Sequence, residues 1–192
     1  VRYRDKDYRA WFSPKGMRGR SLICLMEESR VLDGDYAIAA PESCDIQIVG
    51  PMGQPISDFA FSTSAEGKPL LTIAVPDMPV QKAVGFVAVI PLPEEITQPL
   101  VLNLTEATLK TEAQTFVLSN EPASGLGAKL EWYDLNQDGY DDLIIGAPKR
   151  QIDLDMSGSV FIVMGKSERK HGYYELTGKD VIQYEGFMNE AF

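Results

Sequence analysis

The sequence predicts an all-β fold built from repeated sheets, and three observations lead to this prediction. Val, Ile, Phe and Leu occur in short runs that Gly, Pro, Asn and Asp interrupt, a pattern typical of strands joined by turns. Helical periodicity is weak, and the best helical candidate, residues 94–109, contains Pro99 and favours an extended conformation. Strands of the same type also recur at a regular spacing, which indicates an internal repeat.

The repeat is clearest in a strand that begins with glycine and continues into an apolar run. Its copies start at Gly19, Gly85 and Gly158, so 66 and 73 residues separate them. A second apolar strand, which ends in proline, precedes each copy: residues 8–14, 70–76 and 142–148. Because both elements recur in one order, we interpret the chain as an array of similar units.

Composition and charge exclude several classes of function. The formal net charge is −10 and the pI is near 4.6, which disfavours nucleic acid as a partner because phosphate binding needs a basic face. The single histidine, His171, cannot build a multi-histidine zinc site. There is no run of about 20 apolar residues, so we expect no direct membrane insertion.

One acidic loop has the spacing of a calcium site. Oxygen-bearing residues alternate along it, and Gly139 permits a sharp turn between them, as in an EF-hand loop. An EF-hand would require a bidentate Glu where Ile145 stands in an apolar run, so we expect a different fold around the ion. The predicted Ca²⁺ ligands are Asp134, Asn136, Asp138, the backbone carbonyl of Tyr140, and Asp142.

The segment from Leu126 to Pro148 resembles the FG-GAP repeat, in which Phe-Gly and Gly-Ala-Pro flank an acidic loop. That repeat builds the seven-bladed β-propeller of integrin α subunits and also occurs in the glycosylphosphatidylinositol-specific phospholipase D family. Gly146-Ala147-Pro148 is intact, and Leu126 stands in place of the Phe. In the middle copy Phe59-Ala60 occupies the Phe-Gly position, and we expect the shortened acidic loop of residues 62–67 not to bind calcium.

The resemblance and the repeat together predict a partial β-propeller of FG-GAP blades. A unit of roughly 66 residues can supply the four strands of a blade, and a blade needs neighbours to cover its faces. We expect about two and a half four-stranded blades, a fragment of a larger, seven-bladed propeller. The predicted parts are a partial degenerate blade (1–50), a degenerate blade without a metal loop (51–120), and a blade with the calcium loop and the start of the next (121–192).

Five aspartates outside the predicted ligand set are interpreted as surface charges or solvent-facing residues. We expect Asp141, between two ligand positions, to face solvent, and Asp153 and Asp155 to lie in a polar surface loop. Asp5 and Asp7 are interpreted as surface charges. Trp11 and Trp132 are predicted to pack in the core or between blades.

Two further features concern the compartment. Cys24 and Cys44 are in no CxxC spacing, and the sequence leaves open whether they form a disulfide or stay as buried thiols. Asn103-Leu104-Thr105 is a glycosylation sequon, which makes Asn103 the candidate acceptor. We expect an extracellular or cell-surface protein.

The expected function is non-enzymatic. No residue pattern indicates a nucleophile or a general acid or base beside the loop, so calcium is expected to stiffen the blade. The predicted role is adhesion or assembly, with a protein or glycan partner or further blades of the same propeller. The alternatives are an accessory propeller of a secreted hydrolase, such as a glycosylphosphatidylinositol-specific phospholipase D, and a structural subunit of a large assembly.

Overall fold

The computed structural model describes residues 2–3, 6–14, 19–30, 43–76, 85–93, 99–105, 107–108, 115–119, 124–151, 158–167, 172–176 and 181–186. Strands dominate these ranges, and a short 3-10 helix spans Glu28–Arg30. The strands are β1 (Arg2–Tyr3), β2 (Lys6–Ser13), β3 (Arg20–Glu27), β4 (Ile46–Met52), β5 (Asp58–Thr63), β6 (Pro69–Val75), β7 (Gly85–Pro91), β8 (Leu100–Asn103), β9 (Thr115–Ser119), β10 (Lys129–Tyr133), β11 (Asp142–Ala147), β12 (Ser159–Val163), β13 (Gly172–Glu175) and β14 (Val181–Glu185).

The strands form three sheets, each built around an antiparallel meander. Sheet 1 has the order β1-β2-β3-β4-β8, sheet 2 has β5-β6-β7-β9 with β13 beyond β9, and sheet 3 has β10-β11-β12-β14. The all-β prediction is confirmed, and the repeated strands with proline at their end and glycine at their start become the second and third strands of the sheets. Each meander has the four strands of a propeller blade. The first strand of sheet 1 is short and spans Arg2–Tyr3.

Two strands leave their own sheet and pair with the preceding one. β8 arises between the third and fourth strands of sheet 2 and adds in parallel to the outer side of β4. The Leu100 and Leu104 amides donate to the Asp45 and Val49 carbonyls, each at 2.8 Å. β13 arises at the same point of sheet 3 and adds in parallel to β9. Within residues 94–109 the predicted extended conformation is present in β8, whose pairing links two sheets, whereas Ala107 and Thr108 are helical.

Sheet 2 lies between the other two, and both of its faces are covered. Every residue of β6 is buried, although successive side chains of a strand point to opposite faces. Leu71 and Ile73 pack in the core that sheet 2 shares with sheet 1. Leu70 and Ala74 pack in a second core shared with sheet 3. Burial on both faces explains why this strand has an almost continuous apolar sequence.

A disulfide closes the connection between β3 and β4. Cys24 in β3 and Cys44, two residues before β4, are bonded, with their Cα atoms 5.4 Å apart. Both are buried, so the bond lies inside sheet 1 and away from solvent. This resolves the alternative that the sequence left open.

No helix in the described part of the chain has the length and apolarity that crossing a membrane requires.

Candidate metal site

The candidate calcium loop connects the first two strands of sheet 3. β10 ends at Tyr133, which pairs with Asp142 at the start of β11, so the intervening loop projects from the end of a regular hairpin. Gln137 and Gly139 have φ angles of 60° and 87°. Left-handed conformations at these two positions curl the chain back on itself, and glycine adopts that conformation without a steric cost.

Side chains at alternate positions of the loop bond to its own backbone. The two oxygens of the Asp134 carboxylate accept hydrogen bonds from the Asp138 amide at 3.1 Å and the Gly139 amide at 2.9 Å. The Asn136 Oδ1 atom also accepts from the Asp138 amide, at 3.0 Å. The Asp138 Oδ1 atom accepts from the Tyr140 amide at 2.9 Å, and its Oδ2 atom accepts from Asn136 Nδ2 at the same distance. These bonds fix the loop conformation through the residues predicted to bind metal.

Asp142 differs from the other predicted ligands because it is buried. Its carboxylate belongs to a residue with 0% exposure. One oxygen accepts from the Leu135 amide at 3.0 Å, and the other accepts from the Gly165 amide at 2.6 Å. Two backbone donors offset part of the cost of burying a carboxylate. Asp142 thereby joins the loop to the segment that follows β12.

The donor chemistry of the loop fits calcium. Three carboxylates, one side-chain amide and one backbone carbonyl make an all-oxygen set, which a hard cation with a high coordination number prefers. Thiolate and imidazole ligands, which favour zinc or copper, are not among them. The chemistry of the donors fits, but in this structure their oxygens accept hydrogen bonds from the loop's own amides, and among the described residues, those of the loop included, no group of three Asp, Glu, His or Cys side chains is arranged to hold a metal ion.

Two residues that the sequence did not single out hold the loop in place. Ser62 of β5 donates a hydrogen bond of 2.8 Å to the Asp141 carboxylate, which is half-buried. The prediction that Asp141 faces solvent is wrong, because sheet 2 packs beside the loop. Gly165 lies so close that a Cβ atom there would be 2.5 Å from the Asp141 carbonyl oxygen. A glycine directly after an apolar strand was the only sequence signal for this approach.

The corresponding hairpin of sheet 2 is shorter and has a different chemistry. β5 and β6 pair up to Thr63 and Pro69, and the Ser64 amide and the Lys68 carbonyl close the turn at 2.7 Å. Glu66 is the only acidic residue of this turn, and it forms an ion pair of 2.7 Å with Lys68. The hydrogen bond and the charge of Lys68 lower the pKa of the Glu66 carboxyl. The turn therefore offers a single carboxylate, which is already paired with the Lys68 ammonium group.

The structure corrects the position of the Phe-Gly equivalent in the middle copy. Gly127 donates its amide to the Gly146 carbonyl at 2.8 Å, just before β10 begins. The Ser57 amide donates to the Ala74 carbonyl at 3.0 Å at the same point of sheet 2. Leu126-Gly127 therefore corresponds to Ile56-Ser57, and the assignment of Phe59-Ala60 was wrong.

The strand register gives the reason for this correction. Phe59 lies inside β5 and pairs with Ile73, whereas Ile56 is buried before the strand begins, as Leu126 is. The shorter hairpin of sheet 2 changes the distance from this element to the loop. A spacing taken from the sequence alone cannot show on which side of the loop the residues are lost.

Polar contacts fix sheet 3 against sheet 2 close to the loop. Trp132 donates its indole N–H to the hydroxyl of the buried Thr72 at 2.9 Å, which places this tryptophan between the sheets as predicted. The Asp58 carboxylate accepts from the Leu130 amide at 2.8 Å and contacts Lys129 Nζ at 3.1 Å. Sheet 3, which carries the loop, is therefore held against sheet 2 by these hydrogen bonds.

Other predicted residues lie away from the loop. Asn103 is exposed at the end of β8, and Asp7 is exposed in β2. Trp11 is half-buried in β2, opposite Cys24. The predictions for Asp5, Asp153, Asp155 and His171 concern residues outside the described ranges.

Comparison with known families identifies the repeat that contains the loop. Residues 127–163 match the family model of the FG-GAP repeat. The match extends from the glycine before β10 to the end of β12, so it includes the whole loop and three of the four strands of sheet 3. No curated protein matches the chain. The match is consistent with an FG-GAP, integrin α-like propeller, and it supports the interpretation of the sheets as propeller blades.

Proposed function

We propose that this chain is a calcium-stabilised β-propeller segment that serves as a non-enzymatic binding module outside the cell, with a protein or glycan partner. The observation that carries the proposal is the loop of residues 134–142, which joins the first two strands of the sheet matched by the FG-GAP repeat. Its oxygen donors suit Ca²⁺, and two of its carboxylates, Asp134 and Asp138, already accept hydrogen bonds from amides of the same loop.

The proposed role of calcium is structural. The residues that would hold the ion are Asp134, Asn136, Asp138, Asp142 and the Tyr140 carbonyl. Asp142 contacts Gly165 beyond β12, and Asp141 contacts Ser62 in sheet 2. An ion in the loop would therefore stiffen the join between two blades, and its binding energy would contribute to the stability of the folded state.

Calorimetric titration with Ca²⁺ tests the metal site. We expect saturable heat for the wild-type chain and a loss of affinity of at least about tenfold for Asp138→Asn, which removes one ligand charge and keeps the side-chain shape. Glu66→Gln is the matched control, since it removes an exposed charge from the equivalent hairpin of sheet 2. Absence of binding to the wild type, or equal affinity in Asp138→Asn, would refute the site.

Two features support the extracellular location. The buried Cys24–Cys44 disulfide is a bond that persists in oxidising compartments, and Asn103 of the sequon is exposed. Mass spectrometry of the protein isolated from its native source tests both features. Reduced cysteines together with an unmodified Asn103 would contradict this part of the proposal.

A further inference from the structure

The outer edge of sheet 3 differs from the outer edges of sheets 1 and 2. β4 and β9, the fourth strands of the first two sheets, each carry a parallel strand on the outer side. β14 is the fourth strand of sheet 3, and among the described strands it pairs with β12 alone. Among the strands that the structure describes, the meander therefore repeats three times and the added strand is present twice.

The backbone of β14 presents hydrogen-bonding groups to this edge. The Gly186 amide donates to the Gly158 carbonyl at 3.2 Å, so the polar groups at position 186 point toward β12. Because successive residues of a strand direct these groups to opposite sides, Gln183 and Glu185 direct theirs to the outer edge. The carbonyl of Val49 in β4 also faces the outer edge of its sheet, where it accepts a hydrogen bond from the Leu104 amide of the added segment.

The position of an added strand follows from sheet 2. In sheet 2, Ser119 of β9 pairs with Gly85, the first residue of the third strand. In sheet 3, Gly186 bonds to Gly158, the glycine that precedes the third strand. The fourth strands β9 and β14 therefore have the same position relative to the third strand of their sheets. In sheet 2, the residues that pair with β13 are 115–118. The equivalent residues of β14 are 182–185.

Side chains beside this edge support the same conclusion. Ile182 and Tyr184 are exposed by 43% and 60%, and Val160, which pairs with Tyr184, is exposed by 40%. In sheet 1 the added strand lies beside a covered face, since Leu100 and Leu102 of β8 pack against the core between sheets 1 and 2. The exposed face of sheet 3 carries Val160, Ile182 and Tyr184, an apolar surface beside which the side chains of an added strand would pack as Leu100 and Leu102 do in sheet 1.

We infer that residues 182–185 of β14 accept an extended peptide segment as a parallel fifth strand, donated by a further blade-like sheet. Such strand addition takes its affinity from backbone hydrogen bonds and its specificity from alternate side chains. The two segments already in this role are Leu-Val-Leu-Asn and Gly-Tyr-Tyr-Glu, so the donor is an extended protein segment with apolar or aromatic side chains. This inference rests on sheet topology and not on calcium, so either proposal can fail alone.

A peptide of residues 99–105 provides the probe, because it contains the strand that sheet 1 already accepts. We would add it at millimolar concentration to the ¹⁵N-labelled full chain and follow chemical shifts and amide exchange. We expect shift changes at 182–185 and roughly tenfold slower exchange of the Gln183 and Glu185 amides, because new hydrogen bonds protect them. No response of β14 at that concentration would overturn the inference.

N-methylated peptides test the direction of the bonds. The Leu100 and Leu104 amides face β4, so by alternation the Leu102 amide does so too, whereas the Val101 amide points away. Methylation at Leu102 should abolish the effect on β14, and methylation at Val101 should preserve it. Equal behaviour of the two peptides would show that the contact is not strand addition.

Substitution of Gln183 tests the site from the other side. Gln183→Pro removes an amide that faces the open edge and leaves the bonds from Ile182 and Tyr184 to β12 in place, which suits proline on an edge strand. We expect loss of peptide binding with sheet 3 intact, while Gln183→Ala, which keeps the amide, still binds. Unchanged binding by a folded Gln183→Pro chain would contradict the inference. If that variant does not fold, the methylated peptides decide the question.

Discussion

Ser62 in sheet 2 donates a hydrogen bond of 2.8 Å to Asp141 in the loop of sheet 3. The bond joins residues 79 positions apart and crosses the boundary between two blades. Asp141 follows Tyr140 and precedes Asp142, so the bond fixes the backbone between two proposed ligands. Calcium affinity should therefore depend on the neighbouring sheet as well as on the loop.

Removal of this bond provides the first test. We expect Ser62→Ala to lower the calcium affinity about two- to fivefold and the free energy of unfolding by about 1 kcal/mol, the usual net contribution of such a bond. Calorimetric titration and urea unfolding measure the two effects. Thr63→Ala is the control, because Thr63 is an exposed neighbour on the other side of the same strand. The coupling between sheets would be refuted if Ser62→Ala bound calcium like Thr63→Ala.

A second prediction concerns Gly165, which contributes no proposed ligand. A Cβ atom at this position would be 2.9 Å from both the Cβ and the carbonyl oxygen of Tyr140, in addition to its contact with Asp141. Gly165→Ala should displace the loop, at a cost of about 1–3 kcal/mol in folding free energy, and weaken calcium binding. Gly146→Ala is the matched control, since its added Cβ would make ordinary contacts of 3.6 Å with Lys129. Equal calcium affinity in the two variants would contradict the close packing described for Gly165.

A third prediction uses the bond between Trp132 and Thr72. Trp132→Phe leaves the buried Thr72 hydroxyl without this donor, so we expect the free energy of unfolding to fall by about 1–3 kcal/mol. Urea denaturation followed by circular dichroism measures this change. Thr72→Val in the Trp132→Phe background should recover part of that loss, because it removes the unpaired group. A double-mutant cycle gives the coupling energy, and a value near zero would show that the bond does not stabilise the interface.

A fourth prediction concerns the disulfide of sheet 1. Replacement of both Cys24 and Cys44 by Ala should lower the free energy of unfolding by about 3 kcal/mol, because the bond closes a loop over a sequence separation of 20 residues. Both sulfurs are buried, so reductant should act slowly on the folded chain and rapidly in denaturant. Rapid reduction under native conditions, or unchanged stability of the double variant, would be inconsistent with this location.

The sequence predicted local features more successfully than distant contacts. The strands that begin near Gly19, Gly85 and Gly158 were identified because an apolar run bounded by glycine is a local signal. The candidate ligands could be proposed from the sequence because a loop of this kind draws them from nearby positions, and their role in binding calcium stays a prediction. Ser62 and Gly165 were missed, since their roles depend on how sheet 2 and the end of β12 pack against the loop.

The parallel strands illustrate the same limit. β8 has the composition of an ordinary strand, and nothing in Leu100 to Asn103 indicates that its partner lies in the previous sheet. The assignment of Phe59-Ala60 failed for a related reason. A deletion before the first strand and a deletion in the hairpin loop give the same spacing between repeats, and the sequence alone does not distinguish them. Register depends on the length and geometry of the turn as well as on the hydrophobic pattern, and the hairpin of sheet 2 is shorter than that of sheet 3.

The addition of β8 to β4 also affects the order in which the chain can mature during synthesis. β4 ends at Met52, but the strand that completes its outer side ends at Asn103. At a ribosomal rate of 5–20 residues per second, the edge of β4 would stay open for roughly 3–10 seconds after it emerges. During that interval the nascent chain presents an unprotected strand, and a chaperone or a neighbouring nascent chain has its best opportunity to bind it.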